Sequence, residues 1–175
     1  MADGVSPEQD SPQYQLPDDL CDAIDWAPVE DVSGVGVLIK HQWDLNTFPV
    51  GGDAVTCGGW TPDHVVLAGS STFVYGNVDD AVTGFSHLTG DLASRSLVEP
   101  DADLDSWQDV LIVESTGEIL GSYGVQTFVR SGNLVIGASV SWTGADTIRS
   151  DETGMAEVMT ALTAVLSSIQ THAAA

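Results

Sequence analysis

The run Tyr123–Arg130, the turn Ser131-Gly132-Asn133 and the run Leu134–Trp142 constrain the fold of this chain more than any other feature. Two β-rich runs separated by a short glycine-containing turn fold back on each other as a hairpin. In the first arm Val125, Thr127 and Val129 alternate with Gln126, Phe128 and Arg130. In the second, Val135, Gly137, Ser139 and Ser141 alternate with Ile136, Ala138, Val140 and Trp142. Side chains of a strand point alternately to its two faces, so the apolar even-numbered set of the second arm predicts the buried face.

The segment from Asp151 to about Thr171 has the period of a helix. Met155, Val158, Met159, Leu162, Val165, Leu166 and Ile169 recur at spacings of three and four, and Ser150 or Asp151 can cap the start. A second helix is predicted from about Asp79 to Ser94, with Val82, Phe85, Leu88 and Leu92 as its apolar stripe and Asp79 and Asp80 at its start. A short one spans Pro17–Ile24, where the proline and two aspartates suit a helix N-terminus. Residues 34–40 read as a short extended run. Ala54–Trp60, Val65–Tyr75 and Trp107–Glu114 read as strands, and Leu97–Ser106 as an acidic loop. Strands in runs, not alternating with helices, predict an α+β domain: a twisted antiparallel sheet with the C-terminal hairpin and helix packed on it.

A chain of 175 residues suits one domain. Residues 1–17 are polar, carry Pro7, Pro12 and Pro17, and show no apolar period, so a flexible tether is expected there. The single α+β domain then covers 18–172. No stretch approaches the roughly 20 apolar residues of a transmembrane helix. Met1-Ala2-Asp3-Gly4 lacks the basic start and apolar core of a signal peptide, which at face value reads as cytoplasmic.

Charge excludes whole classes of partner. Twenty-six carboxylates face four basic side chains, a formal charge of −22. Phosphate binding needs clustered Lys and Arg, so nucleic acid is not an expected partner, and an anionic membrane surface repels the chain. The acidity fits adaptation to high salt, or an exported protein of a lineage with acidic surfaces.

Residue patterns point to little chemistry. Cys21 and Cys57 lie in no C-x-x-C, and their surroundings lack the positive charge that a reactive thiol prefers. A disulfide between the first helix and the second strand is the favoured reading, with buried free thiols as the alternative; a disulfide implies an oxidising compartment. Asp101-Ala102-Asp103-Leu104-Asp105 opens like a calcium loop but has Ser106 and Ile112 where that loop needs Gly and a bidentate Glu. His41, His64, His87 and His172 form no metal-binding spacing. Ser70, Ser71, Ser139 and Ser141 sit on strands and not at a nucleophile elbow, and Gly34-Val35-Gly36 lacks the rest of a dinucleotide loop. No catalytic residue, metal or cofactor is expected. Of the five tryptophans, Trp60, Trp107 and Trp142 fall on or beside strands and are the candidate walls of a ligand site, stacking on a sugar or an aromatic group. Arg130 is a surface ion-pair partner or an anion contact.

Leu20-Cys21-Asp22, Thr56-Cys57-Gly58-Gly59-Trp60-Thr61-Pro62 and Phe128-Val129-Arg130-Ser131-Gly132-Asn133-Leu134-Val135-Ile136 together resemble a group of actinobacterial exported lipoproteins. Those are similar to the extracytoplasmic sensor domains of mycobacterial serine/threonine kinases. The resemblance covers roughly residues 17–171. It implies an α+β domain outside the membrane that binds a ligand or partner and has no known catalytic residues. It also implies that residues 2–17 are a spacer after a lipid-modified cysteine. The expected protein is thus a non-enzymatic extracytoplasmic binding or sensor domain, with a small molecule or cell-envelope protein as partner and a lipid anchor as its membrane contact. Its rivals are an acidic intracellular protein of a salt-loving organism and a secreted hydrolase.

Overall fold

A computed structural model describes residues 11–34, 39–43, 52–61, 65–92, 97–98, 104–116, 122–143, 148 and 152–174. Four helices and seven strands are described: α1 (Leu20–Ala23), α2 (Ala27–Ser33), β1 (Ile39–Trp43), β2 (Asp53–Trp60), β3 (Val66–Val74), α3 (Val78–Thr89), β4 (Leu97–Val98), β5 (Asp109–Thr116), β6 (Ser122–Ser131), β7 (Leu134–Thr143) and α4 (Glu152–Ala173). The strands make one sheet in the order β1-β2-β3-β7-β6-β5-β4, and every pairing is antiparallel. Two meanders, one on each side, meet at the β3–β7 seam, with α3 as the connection that crosses between them. The fold is α+β, as the runs of strands imply.

The hairpin forms as expected, its two arms joined at Gly132-Asn133. Gly132 has φ +53, and a Cβ there would run into the carbonyl of Pro12, so glycine is needed at this turn. Cross-strand partners share a face, which makes the register a map of the two sides. Ile136, Ala138, Val140 and Trp142 of β7 align with Val129, Thr127, Val125 and Tyr123 of β6. On the other side they align with Thr72, Ser70, Ala68 and Val66 of β3. This face carries the main core. α4 lies on it through Val158, Leu162, Val165, Leu166 and Ile169, and α1, α2 and the link between them add Leu20, Ile24, Trp26 and Val29. The disulfide Cys21–Cys57 ties α1 to β2 with the Cα atoms 5.2 Å apart.

Several local expectations are corrected. α2 went unforeseen: it starts with Pro28 in its first turn and ends at Gly34 in the left-handed conformation, as helix-end chemistry favours. The cap of α3 is Asn77, whose side chain accepts from the Asp80 amide, while Asp79 and Asp80 occupy the first turn. The acidic loop expected at 97–106 contributes strand β4. The extended run expected at 34–40 is a strand only from Ile39 on, and 35–38 lie outside the described residues. Within the expected tether, residues 1–10 lie outside the described residues, but the rest is anchored. Tyr14 is 7% exposed, forms a bridge with Ala174 and packs in the core. Its hydroxyl pairs with Ser131 Oγ and accepts from Gln170 Nε2, each at 3.0 Å.

Candidate functional site

Among the described residues, one helix, α3, lies on the opposite face of the sheet. α3 has 12 residues and so is about 18 Å long, while the 10-residue strands β6 and β7 each extend about 33 Å. Ala81, Phe85 and Leu88 of α3 pack with Phe73, Tyr75, Val135 and Ala54 at the end of the sheet near the β6–β7 turn. Gly84 lets the helix close on the Tyr75 ring, which occupies the space a Cβ would need. Burial pushes the Tyr75 hydroxyl above its ordinary pKa.

Beyond this contact the face opens into a cleft of about 540 Å³ between the sheet and the C-terminal part of α3. Register explains its floor. In one cross-strand row Thr56, Ser71, Gly137 and Phe128 lie side by side on β2, β3, β7 and β6. The next row holds Gly58, Gly69, Ser139 and Gln126. Glycine, serine and threonine are too small to meet the helix, so the floor stays low and the gap remains. Ser71 Oγ and Thr56 Oγ1 are hydrogen-bonded at 3.0 Å. Phe128 leans over Gly137, where a Cβ would come within 2.9 Å of its ring. Gly69 lies under open space, its nearest neighbour for an added Cβ being the Cys57 carbonyl at 3.7 Å. His87, Leu88, Asp91 and Leu92, at and just past the end of α3, form the opposite wall.

The four ligand-site candidates do not come together in this cleft. Trp142 is 1% exposed on the α4 side, stacked on Tyr123 with ring centroids 6.1 Å apart, and its indole N–H has no hydrogen-bond partner among the described residues. Trp107 is a core residue, 6% exposed. Trp60 shares the cleft's face but lies one row beyond it, paired with Leu67. Arg130 is an ion-pair partner, as one sequence reading has it, though not on the surface. At 8% exposure its guanidinium donates to Asp109 Oδ2, Gln108 Oε1 and the Gly132 carbonyl, bracing the hairpin turn. His64 and Asp101–Asp103 lie outside the described residues. His172 contacts the Ser168 carbonyl on α4.

The floor residues Thr56, Ser71, Gln126 and Ser139 were missed as a group. Their signal was present: the odd-numbered face of β7 reads Val135, Gly137, Ser139, Ser141, too small to fill a core. A face of this kind is either solvated or the base of a groove, and only the position of α3 decides which.

No family model matches the chain, and no curated protein matches it in sequence. A similar solved structure is the extracellular domain of PknH from Mycobacterium tuberculosis, with a TM-score of 0.60 and 11% identity. The alignment covers 90% of this chain and 98% of that one. At that identity the likeness is one of fold, and it agrees at that level with the resemblance to kinase sensor domains.

Proposed function

We propose that this chain is a non-enzymatic, extracytoplasmic sensor-type domain of a cell-surface lipoprotein that binds a ligand in the cleft between α3 and the sheet. The observation that carries this reading is the cleft itself. Its volume of about 540 Å³ is within the usual range for small-molecule sites, and its polar side chains stand on sheet strands that hold them in place. The Cys21–Cys57 disulfide supports an oxidising compartment and weighs against the intracellular, salt-adapted alternative. The fold shared with a kinase's extracellular domain supports the sensor class by analogy. A small molecule or a cell-envelope protein fits as partner.

Two measurements test the reading. Protein recovered from its native cells should be cleaved by protease added outside intact cells and should contain no alkylatable thiol. Two free thiols in protein reached only after lysis would sink the exported reading. A fragment screen followed by amide chemical shifts should converge on Ser71, Gln126 and Ser139; responses scattered over the α4 side would remove the cleft as the site.

A further inference from the structure

We infer that the cleft takes an uncharged, polyhydroxylated ligand, a neutral oligosaccharide; the inference rests on the cleft being a binding site. Thr56, Ser71, Ser139 and Gln126 supply three hydroxyls and one primary amide, groups that both donate and accept hydrogen bonds and carry no charge. They stand on four neighbouring strands, spread over about 14 Å at the ordinary spacing of roughly 4.8 Å. A ligand matched to such a floor presents many neutral donors and acceptors over a similar length. Sugar rings do so.

Charge on the ligand works against binding here. Among the described residues neither Lys nor Arg lines the cleft, and the whole chain carries −22, so an anionic group is disfavoured there. The floor itself offers an ammonium group no carboxylate among the described residues to offset its lost hydration, Asp91 being on the opposite wall. Apolar contact is also provided for. Phe128 and Phe73 border the cleft, and in the next row outward Trp60 pairs with Leu67, which is 49% exposed. A saccharide has C–H faces that pack on aromatic rings while its hydroxyls reach the floor. Gly69, which lines the cleft, leaves the ring room to approach the main chain.

The test is an amide chemical-shift titration of the intact chain with neutral tetrasaccharides of glucose and of N-acetylglucosamine. A tetragalacturonate serves as the acidic probe and deacetylated chitotetraose as the basic one. A neutral probe should shift the amides of Ser71, Gln126 and Ser139 with a Kd of about 1 mM or tighter, and the acidic probe should not. Gly69→Val places a side chain in the open space over the floor. It should weaken neutral binding at least about tenfold while the melting temperature stays near that of the parent. Gln126→Ala, a milder change, should weaken it in the same direction. If the acidic or basic probe binds at these amides as tightly as the neutral ones, the ligand class is wrong and the cleft reading stands. If neither neutral probe binds there, the inference is overturned; if binding survives Gly69→Val unchanged, the location falls with it.

Discussion

The Asn133 side chain joins three segments of chain. Its amide nitrogen donates to the Tyr14 and Tyr75 carbonyls at 3.2 and 2.8 Å, and its oxygen accepts from the Tyr14 N–H at 2.8 Å. Asn133→Ala leaves these buried backbone groups unpaired, so a loss of about 2–4 kcal/mol is expected in chemical denaturation, with faster proteolysis before residue 17. Tyr75 makes a different prediction. Its folded pKa is raised, so its stabilising contribution is complete below the unfolded value near 10 and is lost as pH rises through the folded one. Melting between pH 9 and 11 should therefore fall more steeply for the parent than for Tyr75→Phe; parallel curves would refute it. At this scale the sequence was only partly readable. Arg130 as an ion-pair partner followed from charge alone, but its burial depends on Asp109 and Gln108, more than 20 residues away. Trp107 and Trp142 could be placed near strands, while the face each takes is a matter of tertiary packing.

Periodicity decided which elements could be foreseen. The hairpin and α4 repeat their patterns over long stretches, and both form where expected. α2 has 7 residues, too few for a period to emerge, and its sequence signals are confined to Pro28 and Gly34. The cleft is the instructive case. Its small residues alternate along β7 in plain view, but the gap above them comes from the length and docking position of α3, which no local pattern encodes. α4 supplies the other face with its core, and Leu162 in its middle is fully buried. Leu162→Ala should cost about 2–5 kcal/mol in urea unfolding, whereas an exposed position such as Thr160→Ala should change little. A small effect at Leu162 would contradict the packing of this helix.

The molecule combines a charge of −22 with a continuous apolar core and one covalent tie. The disulfide closes a loop over a sequence separation of 36, which on the loop-entropy model contributes on the order of 4 kcal/mol. Reduction, or the pair Cys21→Ala and Cys57→Ala, should lower the unfolding midpoint accordingly, and more at low ionic strength, where carboxylate repulsion is less screened. An unchanged midpoint would mean that the tie contributes nothing. The bridge between Tyr14 and Ala174 has a mechanical consequence. Because these two positions are neighbours at the end of the sheet nearest the β6–β7 turn, a pull between them is carried by that bridge and the Asn133 clasp, and bypasses the seven strands. The cleft lies farther along the strands, outside that load path. A leash at either end can tug on the domain without straining the walls of its groove.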